Sequence, residues 1–247
     1  MSDERVPVVV GPASYRNAVA ELPVSTRLAE DRAGAIVVVA GEGDWCVAVT
    51  EATEAGARAV IIADPDPSSA KALEIGIPVL VERPLLPESL RLAIDAPGRA
   101  APHLIVIEAA AAPEGVHAAL RDAVGWARVF GGRVEPGAAT RTRAFLIATG
   151  TAGEVPVSIN ITVLAEGHSS HLRVTAIGST TTDLVIDPFA GLEHVEHATA
   201  DGRVALPQRF ESAARAVLRR AVSADQGSAD LQDLLSDEVV AAVLLGA

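Results

Sequence analysis

The first hundred residues alternate short apolar runs with helix-like stretches, and this alternation limits the fold more than any other feature of the chain. Continuous apolar runs of strand length, separated by amphipathic helices, indicate βαβ units and a parallel sheet that is buried on both faces. The predicted strands cover 6–10, 35–40, 57–63 and 77–82, and the predicted helices cover 13–22, 44–56, 67–76 and 87–94.

The composition changes at 96–102, where the sequence APGRAAP predicts a domain boundary. Beyond it, a predicted strand at 104–112 and a predicted helix at 115–130 come first. The following segments alternate apolar and polar residues between glycine-containing turns, which is typical of a largely antiparallel sheet. Two helices, at about 208–223 and about 228–245, are predicted to close the chain.

These patterns predict an α/β plus α+β protein with two domains. Residues 1–100 would form a truncated Rossmann-like parallel sheet that lacks a complete dinucleotide-binding motif. Residues 101–247 would form a domain with a mostly antiparallel sheet and C-terminal helices.

Composition excludes several functional classes. The net charge is −12, and no basic patch is interleaved with aromatic residues, so we expect no nucleic-acid binding. No apolar stretch approaches the ~20 residues of a membrane span. The charged N-terminus MSDERVP predicts no secretory signal. A lone Cys46 excludes an internal disulfide and fits a reducing compartment, so we expect a cytoplasmic protein.

Four segments, DAVGWARVFGG at 122–132, RTRAFLIATGTAGEVPVSINI at 141–161 and the two described below, resemble parts of the Gfo/Idh/MocA family, which includes glucose–fructose oxidoreductase and inositol dehydrogenase. DAVGWARVFGG at 122–132 resembles the Asp, Trp and Gly pattern at the end of the family's active-site helix. AIGSTTTDLVID at 176–187 is similar to a later strand pair. AIVVVAGEGDWCVAVTEATEAGARAVIIADP at 35–65 is similar to the strand, helix and strand that lead into a Glu-Lys-Pro motif. The resemblance covers roughly 33–245 and implies a dehydrogenase-like architecture.

The family binds the pyrophosphate of NAD(P) at a glycine-rich turn after the first strand. Glycine there permits close backbone approach, and the helix N-terminus stabilises negative charge. In this chain the turn reads Gly11-Pro12-Ala13, and Pro12 has no N–H to donate. Only about 25 residues separate the first strand from the next apolar run, fewer than in the family. We therefore expect no bound cofactor, with NAD or NADP as the alternative.

The resemblance also implies a lysine beside the nicotinamide, within Glu-Lys-Pro. Ala63-Asp64-Pro65 fits that motif by chain order, and Glu82-Arg83-Pro84 fits it by letters, but neither contains lysine. Asp64 would reverse the charge, and Arg83 would be a poor base because its guanidinium stays protonated. The single lysine of the chain, Lys71, matches neither position and is expected to be a solvated surface residue.

A histidine three residues before the helix aspartate is a further implied landmark, acting as a general acid–base. If Asp122 is that aspartate, the histidine position holds Ala119, which cannot exchange a proton. His117 lies two residues earlier, turned by about 200° around a helix, and would serve only after a register shift. An active enzyme would therefore use Arg83, His117 and Asp122 as its catalytic residues.

We predict no metal site. His194 and His197 fall on a predicted strand and would point to opposite faces.

The missing catalytic groups predict a pseudoenzyme, a structural or accessory subunit of an oxidoreductase. Because the family's antiparallel sheet commonly forms subunit interfaces, the resemblance implies a homo-oligomer, or a hetero-oligomer with a dehydrogenase paralogue. One alternative is an NAD(P)-dependent oxidoreductase with a rearranged site, acting on a hydroxyl of a sugar or cyclic polyol. A second alternative is a small-molecule binding module.

Overall fold

The computed structural model describes residues 4–67, 73, 75–94, 101–208, 211–224 and 229–246. The chain separates into two compact units. The first comprises Met1–Ser89 and Phe210–Leu235, and the second comprises Leu90–Arg209 and Ser236–Ala247. The C-terminal part of the chain thus contributes to both units, and a single domain division at residue 100 stays a prediction.

The first unit is built on a parallel sheet, sheet A, with the strand order β2-β1-β3-β4-β5. Its strands are β1 (Val6–Val10), β2 (Thr26–Leu28), β3 (Ile36–Ala40), β4 (Ala59–Ala63) and β5 (Val79–Glu82). The Rossmann-like parallel sheet predicted from the apolar runs is confirmed. The three-residue strand β2 is too short to produce a pattern and was not predicted.

Six α-helices lie in the described part of the chain. They are α1 (Ala13–Glu21), α2 (Trp45–Glu54), α3 (Glu88–Ile94), α4 (Val116–Gly131), α5 (Ala213–Val222) and α6 (Asp230–Leu245). Helices α1 and α5 cover one face of sheet A, where Tyr15 and Leu218 pack with Val8. Helix α2 and the start of α6 cover the other face, where Trp45 and Leu234 are buried. The helix predicted at 67–76, with Lys71, falls largely on residues outside the described ranges.

The second unit contains an eight-stranded sheet, sheet B, in the order β13-β12-β11-β10-β6-β9-β8-β7. The strands are β6 (Leu104–Ala111), β7 (Val134–Arg141), β8 (Phe145–Ala152), β9 (Val155–Val163), β10 (His171–Ile177), β11 (Thr181–Asp187), β12 (Leu192–Thr199) and β13 (Gly202–Ala205). Neighbouring strands are antiparallel except β6 and β9, which pair in parallel with Ile107 opposite Ile159. The predicted mostly antiparallel sheet is therefore confirmed.

Helix α4 packs against one face of sheet B. Its buried residues, including Leu120, Val124 and Trp126, meet alternate strand residues such as Ile107 and Leu146. This apolar layer is the core of the second unit, and it fixes which side of α4 is left for polar contacts. None of the helices in the described ranges is both long and apolar enough to cross a lipid bilayer.

Candidate functional site

The carboxyl edge of sheet A is the place where a parallel sheet of this order binds ligands. Ligands of open α/β sheets bind outside the carboxyl ends of the strands, where the strand order reverses. In sheet A the order reverses between β1 and β3. The loop that follows β3 begins at Gly41, and a Cβ atom there would lie 2.3 Å from the carbonyl oxygen of Asp64. The loops after β3 and β4 are therefore in direct backbone contact beside the crevice.

Several backbone N–H groups of these loops are bonded to acceptors of the protein. The N–H of Asp66 donates to the carbonyl of Gly41 at 2.8 Å, and the N–H of Gly43 donates to the carboxylate of Asp66 at 3.3 Å. At the start of α2, the Asp44 side chain accepts from the N–H of Val47 at 3.3 Å. Free N–H groups are what a loop or helix N-terminus offers to a phosphate. These donors are occupied, two of them by carboxylates.

Helix α1 follows the turn at which the family holds pyrophosphate, and it is tied to the far strand of the sheet. Tyr15, in its first turn, is fully buried, and its hydroxyl donates to Oε2 of Glu82 at 2.7 Å. Burial, and then the Glu82 carboxylate, raise the pKa of Tyr15 above its ordinary value. Burial raises the pKa of Glu82 against the opposing effect of the Tyr15 hydrogen bond, and Asp64 raises it further. The pair therefore places a buried acidic group at this edge.

Arg220, on α5, forms ion pairs with two carboxylates of the first unit. Arg220 contacts the carboxylate of Glu88 at 2.5 Å and also the carboxylate of Asp230. The Asp230 carboxylate in turn accepts a hydrogen bond of 3.2 Å from the N–H of Val81, on the edge strand β5. This arrangement covers part of the open edge of sheet A. It also commits the Arg220 guanidinium to two carboxylates.

Asp64 and Arg83, the two alternatives for the lysine position, follow neighbouring strands. The N–H of Asp64 donates to the carbonyl of Glu82 at 3.1 Å, and Asp64 has a left-handed backbone with φ of 49°, which aspartate tolerates better than most residues. Arg83 is 5% exposed. Both alternatives thus reach the same edge of the sheet, and neither supplies an amine.

His117 and Asp122 lie on α4, in the second unit. Asp122 is buried and pairs with Arg121, whose Nε is 3.1 Å from Oδ1 of Asp122. Nε2 of His117 lies 2.6 Å from Oε1 of Glu238 on α6, and Arg121 is 3.9 Å from the other oxygen of Glu238. The two predicted residues are therefore linked through Arg121 and Glu238, not directly. Ala119, at the expected histidine position, is buried in the core.

The remaining histidines of interest lie on β12. His194 and His197 are on opposite faces of sheet B, as alternation requires, and Nδ1 of His197 lies 2.9 Å from the hydroxyl of Thr182. Within the described ranges, no group of three His, Cys, Asp or Glu side chains is placed to hold a metal ion.

Sequence reasoning missed the partners that hold the predicted site residues. Tyr15 is the only tyrosine of the chain and lies at the start of the helix predicted after the first strand, a position that could have marked it as a candidate. Glu238 and Arg121 could not be singled out. Their pairing joins helices more than 100 residues apart, and nothing local in the sequence marks it.

No protein-family model matches the sequence, and no curated protein matches it. The structure is similar to several solved structures. A 3-ketoreductase from Actinomadura kijaniata in complex with NADP has 16% identity and a TM-score of 0.63, over 98% of this chain and 97% of that chain. A dehydrogenase from Clostridium difficile has 8% identity and a TM-score of 0.64, over 98% and 90%.

A UDP-N-acetylglucosamine 3-dehydrogenase from Acidithiobacillus ferrooxidans has 14% identity and a TM-score of 0.56, over 98% of this chain and 96% of that chain. Identities this low show a shared fold alone. The chain therefore has the two-unit fold of Gfo/Idh/MocA-type dehydrogenases, as the sequence resemblance predicted.

Proposed function

We propose that this chain, which has a dehydrogenase-type fold, is a non-catalytic structural or accessory subunit of an oxidoreductase. The observation that carries the proposal is the carboxyl edge of sheet A. There the N–H groups of Gly43 and Val47 are bonded to carboxylates of the protein, and the Glu82 carboxyl group accepts the hydroxyl of Tyr15. A pyrophosphate at this edge would meet like charge from Asp64, Asp66 and Glu82.

The predicted catalytic residues support the same proposal. Asp122 pairs with Arg121, and His117 contacts the carboxylate of Glu238, and contacts of this kind commonly stabilise a fold without catalysis. Neither Asp64 nor Arg83 can act as a neutral amine base. A proton-transferring pair would need a rearrangement of these contacts.

Assembly through sheet B is the second part of the proposal. We use "outer face" for the side of sheet B opposite α4. Large apolar side chains of β8, β10 and β12 are exposed on it: Phe145, Ile147, Ile177 and Leu192, each 39–44% exposed. The strand registers place all four on this one face. Phe145 and Ile147 are neighbours on β8, and exposed apolar residues that lie together are typical of protein–protein interfaces.

The size of the outer face fits a stable interface. Apart from the short β13, seven strands of 7–9 residues form it. At about 4.8 Å between strands and about 3.3 Å per residue, it covers roughly 800 Å², which is the area that each partner contributes to a standard interface. Two ion pairs lie on the face, Arg173 with Asp183 and Arg203 with Glu196. The partner would be a second copy or an intact dehydrogenase paralogue.

Replacing Ile147 by Arg tests the assembly. The added charge should disperse a homo-oligomer of the purified chain, as measured by light scattering after gel filtration. Val204→Arg is the matched control, because Val204 is 61% exposed and lies toward the other face of the same sheet.

If the purified chain is a monomer, the partner must be the paralogue. A dehydrogenase with a complete glycine-rich phosphate turn should then copurify with the unmodified chain from its host, and not with Ile147→Arg. A monomeric chain with no such dehydrogenase bound would contradict the proposal.

A working NAD(P)-dependent oxidoreductase is the second candidate. It is favoured by the solved structures of similar fold, which include a dehydrogenase and an NADP-bound ketoreductase. Under this candidate, Arg83, His117 and Asp122 would act on a hydroxyl of a sugar or cyclic polyol. Turnover of such a substrate with NAD(P), abolished by His117→Ala, would support it.

A further inference from the structure

The outer face of sheet B carries charged and apolar residues in an arrangement that is complementary to itself. The midline of the eight-stranded sheet runs between β10 and β6, with four strands on either side. The register of these two strands places Glu108 opposite Arg173 and Leu104 opposite Ile177, all on the outer face. Each of these residues on one midline strand therefore has a complementary residue on the other.

A two-fold axis parallel to the strands at this midline would bring β6 of one copy onto β10 of a second copy. Homodimers commonly have such an axis, and every contact across it occurs twice. Stacked sheets lie about 10 Å apart, and their strands cross at about 30° or less. Because the crossing angle displaces residues near the axis least, the residues of β6 and β10 decide whether the two faces match.

Opposite charges would meet at the centre of the two faces. Glu108 is exposed and would face the partner's Arg173. Within its own chain, Arg173 donates hydrogen bonds of 2.9 and 2.6 Å to Asp183 through Nε and Nη2. The Arg173 side chain is 53% exposed, so a second carboxylate can approach it. The symmetric contact repeats this attraction on the other side of the axis.

Apolar side chains would meet at both ends of the faces. At one end, Leu104 would face the partner's Ile177, and the symmetry brings four such side chains together. Strands β8 and β12 are each the third strand from the midline, so β8 would lie over the partner's β12. Phe145 and Ile147 would then cover the partner's Leu192. These side chains supply the apolar contact of a stable interface.

The strands between these groups also avoid like charges. Strand β9 contains no ionisable residue, and it would lie over the partner's β11, which carries Asp183 and Asp187. Ser158 on β9 lies in the same row across the sheet as Asp183. A hydroxyl that can donate a hydrogen bond would therefore face the partner's Asp183.

A two-fold axis across the centre of the strands gives a poorer match. It would lay β6 on the partner's β6 and β10 on the partner's β10. Glu108 would then face the partner's Glu108, and Arg173 would face the partner's Arg173. Juxtaposed like charges oppose binding, so the axis parallel to the strands is favoured.

We propose that the outer face binds a second copy of this chain about a two-fold axis that runs parallel to the strands between β6 and β10. This inference rests on the assembly through sheet B in the proposed function, and it selects the second copy over the paralogue. The outer face, at roughly 800 Å² per copy, has the area of a standard interface.

Two charge-reversal variants test this arrangement. Glu108→Arg would place a guanidinium group against the partner's Arg173, and Arg173→Glu would place a carboxylate against the partner's Glu108, twice in each homodimer. Each variant alone should raise the dissociation constant of the dimer by roughly tenfold or more, as measured by analytical ultracentrifugation. An equal mixture of the two variants should form a heterodimer, identified by native mass spectrometry, because both contacts then join opposite charges.

Glu114→Arg is the matched control, because it reverses an exposed charge in the turn before α4 and should leave the dissociation constant unchanged. Circular dichroism shows whether each variant is folded. If Arg173→Glu is not folded, Arg173→Ala takes its place in the mixture, since it also removes the clash with Glu108→Arg.

Three outcomes would overturn the proposal. The first is a dimer whose dissociation constant neither reversal raises, and the second is a pair of variants that do not dimerise on mixing. The third is a monomeric unmodified chain, which would leave the paralogue as the partner in the proposed function. A dimer that also resists Ile147→Arg would contradict assembly through the outer face itself.

Discussion

Individual carboxylates at the carboxyl edge of sheet A determine how favourable the edge is for a negatively charged ligand. Asp66 and Asp44 accept hydrogen bonds from backbone N–H groups of the loop and helix start, and Glu82 accepts the Tyr15 hydroxyl. Like unit charges about 5 Å apart repel by about 3 kcal/mol at an effective dielectric constant of about 20. Each carboxylate thus works against a phosphate at a site where dinucleotide-binding proteins present donors.

Glu82 also makes stability depend on pH. Its pKa is raised in the folded state, first by burial, so the folded chain holds this proton more firmly than the unfolded chain does. The stabilising effect is therefore present below the unfolded value of about 4.3 and is lost as the pH rises through the folded pKa. At neutral and alkaline pH, an ionised buried Glu82 costs stability.

Glu82→Gln keeps an oxygen that can accept from Tyr15 and removes the charge. We expect the variant to be more stable than the unmodified chain at about pH 8, by about 1 kcal/mol, with no difference at about pH 4. Urea unfolding at both pH values measures this. Glu54→Gln, at an exposed position on α2, should change little. Equal destabilisation of Glu82→Gln at both pH values would contradict the assigned burial cost.

At the scale of elements, the loops after β3 and β4 pack so closely that only glycine fits at position 41. A Cβ atom there would lie 2.3 Å from the Asp64 oxygen and 2.3 Å from Cα of Pro65, both backbone atoms that cannot move aside easily. The contact joins the loops after β3 and β4 at the carboxyl edge of the sheet.

Gly41→Ala should therefore destabilise the first unit by about 2 kcal/mol, because the two loops must separate. Thermal unfolding of the full chain provides the measurement. Gly76→Ala is the matched control, since a Cβ at Gly76 meets nothing within 4 Å and the backbone there is not left-handed. Equal melting temperatures for the two variants would show that the loop contact is looser than described.

The elements themselves were largely predictable from the sequence. The apolar runs at 36–40 and 59–63 are strands, and the predicted helix at 115–130 is α4. These elements could be predicted because the spacing of apolar residues that distinguishes strands from helices is a local property of the sequence. The parallel pairing of β6 with β9 was not predictable, because pairing depends on contacts between distant segments. The same holds for Tyr15 with Glu82 and for His117 with Glu238. Each joins residues more than 60 positions apart.

At the scale of the whole molecule, the packing of the fold does not depend on the residues that would bind a cofactor or catalyse a reaction. The cores of both units consist of apolar residues that need no cofactor to pack, such as Ile61 in the first unit and Trp126 in the second. A body of this fold can therefore form whatever residues stand in the turn after β1 and at positions 64 and 83.

Titration of the purified full chain with NADH and NADPH by calorimetry tests the central claim most directly. The NADP-binding 3-ketoreductase from Actinomadura kijaniata serves as the positive control. We predict no binding heat for this chain at concentrations at which the control saturates, with circular dichroism confirming that the chain is folded. Binding of either cofactor at micromolar concentration would contradict the account.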